Sequence, residues 1–272
     1  MFKEFSKEHS YLIGFFQADG HLSFGTQNRM KLAIELKDSD VDILNKIEEL
    51  LKDGVHVGRG FRTRDTNFKK NYKSCSLTIT EGSFLRKYFN PYIPNGKKDM
   101  IVKTPEWVDS SNYLRGYFDG NGSIGFTKNK KDCFICFCTK SEYIKKYLTE
   151  AIKKETGEIK ETARNKRDNI YNISVMNESA IKFSEFLYQN KNLYLNRKFE
   201  NYNDIKKWVR TFPKRNFEVK KWNKEEDAVV LSENLILSEK MKILNRTEKS
   251  INIRIWRLTG KYPNKVLETS CK

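Results

Sequence analysis

Two short turns in this 272-residue chain carry oxygen-bearing side chains at matching places, Asp19-Gly20 and Asn121-Gly122. Each closes a similar stretch, YLIGFFQADG from Tyr11 and YLRGYFDGNG from Tyr113, about a hundred residues apart. Read as helices, the two stretches place small residues four apart on one face, Gly14 with Ala18 and Gly116 with Gly120. Small residues at that spacing let two helix backbones approach closely. If the copies pack on each other, their ends meet and Asp19 and Asn121 sit side by side. A helix C-terminus carries partial negative charge, and a carboxylate there is unfavourable by ~0.3–1 kcal/mol. Such an oxygen-rich point suits a hard cation. Mg2+ takes few protein carboxylates and several waters, with phosphate oxygens completing its shell. That would serve metal-assisted phosphodiester hydrolysis. A single Asp-Gly is an ordinary turn; two at equivalent places point to a site, with Asp19, Gly20, Asn121 and Gly122 nearest the metal.

The elements that would position this point also repeat. Leu32, Ile34 and Leu36 alternate with polar neighbours, which predicts a strand with one buried face. DSDVDILNKIEELL predicts a helix capped by Asp38, Ser39 or Asp40, with Val41, Leu44, Ile47, Leu50 and Leu51 as its apolar stripe. Two strands around a basic loop follow over residues 55–80, with Cys75, Leu77 and Ile79 on one face, then a short helix over 81–89. The second copy predicts the same order. Two strands flank a basic turn, and a helix is capped by Ser141 and stopped by Gly157. IKETARNKRDNIYNISVMN predicts two more strands, and NESAIKFSEFLYQN a closing helix. The fold class is therefore α+β, two pseudo-symmetric αββαββα halves. Such a pseudo-twofold monomer suits a roughly twofold target such as a duplex DNA site.

Composition agrees with a polyanionic partner. There are 52 Lys+Arg against 35 Asp+Glu, a net charge of +17 and a sequence pI near 9.5. No run of ~18 apolar residues predicts a membrane span, and the start MFKEFSKEHS is not a signal peptide. Of the five cysteines, Cys133, Cys136 and Cys138 lie in DCFICFC, which reads as a buried apolar strand rather than a zinc site. An intracellular, non-secreted setting follows, with the host compartment open. His9, His21 and His56 are scattered and suggest no triad.

LIGFFQADG (12–20) and LRGYFDGNG (114–122) resemble the paired motifs of the LAGLIDADG homing endonucleases in their single-chain form. The resemblance covers about residues 10–208. It implies double-stranded DNA cleavage with a divalent metal, motif helices at the interface between halves, and a sheet saddle on the DNA. It assigns metal binding to Asp19. It also implies basic residues near the end of each half that stabilise the transition state. NGKKD (95–99) and NRKFE (196–200) occupy those places, with Lys98 and Lys198 as candidates and Lys97 and Arg197 beside them. The equivalent of Asp19 is Asn121, where the family usually has Asp or Glu. Asparagine offers a neutral oxygen and cannot act as a base. A natural nickase, a binder that has lost cleavage, and a laboratory change all fit. Asp119 corresponds to Gln17 and turns to another face.

Basic residues crowd the inter-strand loops. Arg59, Arg62, Arg64, Lys69, Lys70 and Lys73 in the first half, and Lys128, Lys130, Lys131, Arg164, Lys166 and Arg167 in the second, are candidate DNA contacts. Residues 209–221 read as a basic linker. Beyond them WNKEED and NRTEKSINIRIWRLTG resemble a Myb-like helix-turn-helix, a helical cap on the main domain being the alternative. Trp222, Val230, Leu231, Leu235, Met241, Leu244, Ile251, Ile255 and Leu258 would form its core, and Lys249, Asn252, Arg254 and Arg257 its contacts. The expected domains are thus 1–105, 106–208, the linker, and 222–272. The expected partner is double-stranded DNA, with no membrane, no small-molecule substrate, Mg2+ as cofactor and a monomeric state. A non-cleaving DNA binder or an RNA-binding splicing helper is the alternative.

Overall fold

The computed structural model describes residues 2–52, 55–66, 70–95, 102–190, 192–210 and 222–260. The chain divides into two compact units, Met1–Phe212 and Pro213–Lys272. The first unit runs α1 (Lys7–Asp19), β1 (His21–Phe24), β2 (Met30–Lys37), α2 (Val41–Leu51), β3 (Val57–Arg64), β4 (Tyr72–Ile79) and α3 (Gly82–Tyr88). It then repeats the order with one strand fewer, through α4 (Ser110–Asn121), β5 (Gly122–Phe126), β6 (Cys133–Thr139), α5 (Glu142–Thr156), β7 (Tyr171–Met176) and α6 (Asn177–Tyr188), and adds α7 (Asn196–Ile205). The architecture is the expected α+β repeat. Among the described residues no helix is long and apolar enough to cross a membrane.

Both motif helices start on side-chain caps. Ser6 accepts from the His9 amide and Asp109 from the Asn112 amide, which satisfies one orphan donor of each first turn. They pack on each other through their glycines. A methyl group built on Gly14 would stand 2.1 Å from the Tyr113 carbonyl oxygen, and one on Gly116 would stand 2.0 Å from the Tyr11 carbonyl oxygen. Further along, a methyl on Gly120 would meet the Ala18 side chain at 2.4 Å. The backbones therefore touch where the small residues lie.

Each half builds one antiparallel sheet. The first has the order β1-β2-β4-β3 and the second β5-β6-β7. Leu32, Ile34 and Leu36 of β2 and Cys75, Leu77 and Ile79 of β4 turn to the core, as do Ile135 and Phe137 of β6 and Ile173 and Val175 of β7. The opposite face of β2 holds Lys31, Ala33, Glu35 and Lys37, while that of the second sheet mixes Asn172 and Ser174 with Phe134, Cys136, Cys138 and Met176. α2 buries Ile43, Leu44, Ile47 and Leu51, and α5 is capped by Ser141 and closed by Gly157, a glycine at φ 79°.

Three local expectations change. The strand expected early in residues 158–170 is a single bridge between Arg164 and Tyr171. Ile159 there is 72% exposed, so that segment has no apolar face to dock. The run from Cys133 to Cys138 is not wholly buried: Cys133 faces inward, while Cys136 and Cys138 are half-buried on the opposite face. α2 starts after Asp40, but the Asp40 side chain does not cap it; it pairs with Arg197 instead.

The second unit holds α8 (Lys224–Leu231), α9 (Leu237–Leu244) and α10 (Glu248–Thr259). Asn223 and Glu226 form a capping box, and Thr247 caps α10 by accepting from the Ser250 amide. Val230, Leu244 and Ile251 make its core, with Trp222, Val229, Leu237, Met241 and Ile255 packed around them. Leu231 and Leu258, expected inside, are 48% and 39% exposed. Arg246 pairs with Glu226 at 2.8 Å and lies over the Trp222 ring.

The glycine contact gives a direct test. Gly116→Ala drives a methyl into the α1 backbone at Tyr11 and Phe15, with no side chain to yield, and should cost at least ~3 kcal/mol, the upper end for overpacking. Gly58→Ala, whose methyl would meet its nearest neighbour at 3.8 Å, should cost less than ~1 kcal/mol. Urea unfolding of the two variants measures the difference.

Candidate metal centre and nucleic-acid interface

The two motif helices end together. Gly20 and Gly122 close them, their amides donating to the Phe16 and Phe118 carbonyls. A methyl on Gly120 would lie 3.4 Å from the Asp19 Cβ, and the Asn121 side-chain amide donates to the Ala18 carbonyl at 3.2 Å. Asp19 is exposed, Asn121 and Gly122 are half-buried and Gly20 is buried. A cavity of about 200 Å3 opens beside Asn121, bounded also by Gln17, Ala18, Tyr117 and Cys138.

The donor set fits a hard ion through one charge. Asp19 supplies a carboxylate. Asn121 spends its amide nitrogen on the Ala18 carbonyl, which leaves its oxygen as the ligand-type atom. Among the described residues no three His, Cys, Asp or Glu side chains gather into a metal cluster. An ion here would rest on Asp19, neutral oxygens, water and phosphate, the pattern Mg2+ accepts.

Lys198 lies next to this point but does not project from it. It is 2% exposed, and its ammonium donates to the Phe118 and Asp119 carbonyls at the end of α4. Burial pushes its pKa down to about 8, against the opposing pull of the Asp119, Asp40 and Asp19 charges. Its neighbours tie the start of α7 to the first half: Arg197 donates to Asp40 at 2.9 Å and Asn196 to Asp42 at 2.7 Å. Lys98 and Lys97 lie outside the described residues, as does Lys69.

Sequence reasoning set Asp119 aside, and the structure turns it away from Asn121 into the helix interface. It is 1% exposed and accepts from the Tyr11 hydroxyl at 2.8 Å and the Leu195 amide at 2.9 Å. Burial raises its pKa to about 6, against the lowering effect of Lys198 and those hydrogen bonds. Gln17 occupies the matching place: it accepts from the Tyr113 hydroxyl at 2.7 Å and donates to the Tyr92 and Lys103 carbonyls. The signal available in sequence was the shared tyrosine opening of the two motifs.

The candidate DNA contacts divide by face. Strand register puts Arg62 and Arg64 opposite Ser74 and Tyr72, on the helix-free face of the first sheet. Arg64 pairs there with Glu35 at 3.2 Å. Arg59 pairs with Leu77 in register, so it lies on the helix side and donates to Asn45 of α2 at 2.9 Å. Lys73 shares the Arg59 face, although it is exposed, and Lys70 is exposed before β4. Lys31 and Lys37 of β2 stand on the helix-free face and were missed; their alternation against Leu32, Ile34 and Leu36 was the signal.

In the second half Lys128, Lys130 and Lys131 are exposed on the β5–β6 turn, and Lys166 and Arg167 are exposed before β7. Arg164 is a structural residue: it donates to the Asn169 and Lys140 carbonyls and stacks on Tyr171. In the second unit Lys249 and Arg257 are exposed and Asn252 is half-buried. Arg254, expected on the surface, makes two bonds to Asp227 that tie α10 to α8.

The Asn121–Ala18 bond predicts the behaviour of a restored carboxylate. Asn121→Asp replaces a donor with an acceptor facing a carbonyl, which should cost ~1–3 kcal/mol without metal. Mg2+ should recover much of that loss in the variant and change the wild type less. Thermal unfolding in chelator and in Mg2+ tests this.

Residues 6–91 match the model of the LAGLIDADG-like domain. A DNA polymerase of Acanthamoeba polyphaga mimivirus is 27% identical over 136 residues, which is 47% of this chain; the chain spans 8% of the length of that relative. The homing endonuclease I-WcaI, solved bound to its DNA recognition sequence, is 15% identical over 74% of this chain and 88% of its own, with a TM-score of 0.53. The I-SmaMI LAGLIDADG homing endonuclease, solved bound to cleaved DNA, is 13% identical over 72% of this chain and 87% of its own, with a TM-score of 0.49. Residues 6–91 thus match a LAGLIDADG-like domain, and the chain shares the fold of I-WcaI over 74% of its length.

Proposed function

We propose that this protein is a single-chain, two-motif endonuclease that recognises a specific double-stranded DNA sequence and hydrolyses a phosphodiester bond on one strand with Mg2+. The observation that carries this reading is the meeting of the two motif helices, with a carboxylate on one end and an amide on the other. Bound Mg2+ supplies activation of water and neutralisation of phosphate charge. Asp19 provides the anionic ligand. Asn121 adds a neutral oxygen, and it lacks both the charge and the basicity that a second cut needs. Lys198, buried against the end of α4, adds positive charge beside Asp19 as charge rises on the scissile phosphate; Lys98 is the sequence candidate for the same role in the first half.

The helix-free sheet faces supply the docking surface. Arg62, Arg64, Lys31 and Lys37 are on that face in the first half, and the lysine-rich β5–β6 turn serves the second. A two-stranded ribbon fits the major groove, and side chains on it reach base edges and phosphates. The three helices α8 to α10 serve as a helix-turn-helix module that lengthens the footprint, and α10 offers Lys249, Asn252 and Arg257. The protein acts as a monomer. The amide at position 121 also supports a second reading, a DNA binder that has lost cleavage.

A supercoiled plasmid carrying a target selected from random duplexes decides among these. With Mg2+ the wild type should give nicked circles, and Asp19→Asn should lower the rate on the order of 10²–10³-fold with binding intact. Linear product would contradict the single-carboxylate reading. Binding without cutting would favour the binder, and preference for structured RNA a splicing helper.

A further inference from the structure

The nuclease reading leaves one group unused, the buried Asp119 carboxylate. It sits two residues before Asn121, yet it faces the opposite way and touches neither solvent nor the exposed Asp19 side. Its partners come from both directions. The Tyr11 hydroxyl reaches it from α1, and the Leu195 amide reaches it from the residue that precedes α7. Arg115, one turn earlier on α4, holds the same connection by donating to the Leu187 and Leu193 carbonyls, both at 2.7 Å. Three residues beyond Leu195, Lys198 delivers its ammonium to the end of α4.

We infer that Asp119 is a positioning residue for Lys198: by gripping the Leu195 amide it fixes the start of α7 and keeps the Lys198 ammonium against the end of α4, beside Asp19. The inference rests on the nuclease reading for its consequence in catalysis. Its structural half stands separately.

The pseudo-symmetric position explains the residue type. Gln17 is held by Tyr113 as Asp119 is held by Tyr11. The segment Gln17 grips presents carbonyls, at Tyr92 and Lys103, and an amide nitrogen can donate to them. The segment Asp119 grips presents an N–H, so an acceptor is required there. The first motif therefore has an amide and the second a carboxylate at the same place, each matched to its anchored strand of chain. A lysine taken out of water needs such fixing, because its stem is flexible and its charge is disfavoured by burial.

Lysine acetylation of the full chain, read peptide by peptide by mass spectrometry, tests the structural half without any need for cleavage. In the wild type Lys198 should react far more slowly than the exposed Lys224 and Lys242. Asp119→Ala should speed Lys198 labelling by about tenfold or more, the shift expected from losing a buried hydrogen bond, while Lys224 and Lys242 keep their rates. Asp119→Asn retains an acceptor oxygen for the Leu195 amide but not the charge facing Lys198, and should label between wild type and Asp119→Ala. Gln17→Ala should leave Lys198 protected. If Asp119→Ala does not fold, Tyr11→Phe removes one donor to the carboxylate and should still raise Lys198 labelling.

Unchanged Lys198 labelling in the folded Asp119→Ala chain would overturn the inference. So would equal exposure of Lys198 in Asp119→Asn and Asp119→Ala. On a cleavable target, Asp119→Ala should lower the single-turnover nicking rate about tenfold with DNA affinity unchanged, and Asp119→Asn should restore part of it. Loss of affinity with an unchanged rate would overturn the catalytic consequence. A wild type that does not nick at all would sink the nuclease reading, and the labelling result would still decide the anchor.

Discussion

The backbone contact between α1 and α4 governs the rest of this molecule. Gly14 and Gly116 allow each helix to rest on a carbonyl of the other, and no larger residue fits either place. Close-packed interiors transmit such a constraint, because neighbouring groups have no spare volume into which to shift. The contact sets the crossing point, the crossing point brings the two C-termini together, and each β-sheet starts within two residues of its helix end. The orientation of both sheets therefore follows from two glycines. The same contact also lets Tyr11 and Tyr113 reach across to Asp119 and Gln17.

The halves are alike in backbone and unlike in chemistry. One helix ends in a carboxylate and the other in an amide that donates to the first helix. A buried lysine sits beneath the amide end, where it answers the partial negative charge of α4. Asn121 and Lys198 together make the second half of the site neutral or positive where the first half is negative. On the proposed reading, that asymmetry would be the physical basis of a one-strand preference, with a divalent ion held from one side.

Much of the fold could be read from the chain because its signals are local. The alternation of Leu32, Ile34 and Leu36, the Ser141 cap and the Gly157 stop each act within a few residues, and each appears in the structure. The basic residues were harder. Arg59 belongs to VGRGFRTR, which has no apolar alternation to reveal its inward face. Arg164 and Arg254 look like surface cations in sequence, but their partners are carbonyls and a carboxylate brought in by folding. Asp40 looked like a helix cap and turned out to pair with Arg197, 157 positions away. Long-range polar pairing of this kind leaves no periodic trace. The strand expected in residues 158–170 failed for a different reason: its outer edge position needs an apolar face, and Ile159 is left exposed.

The most direct measurement is a Mn2+ titration followed by electron paramagnetic resonance, with Mn2+ standing in for Mg2+. A site formed by Asp19 at the joined helix ends predicts one ion bound by the wild type, loss of that ion in Asp19→Asn, and tighter binding in Asn121→Asp. Undiminished Mn2+ binding by Asp19→Asn would contradict it, because the charge that holds the ion would then lie elsewhere.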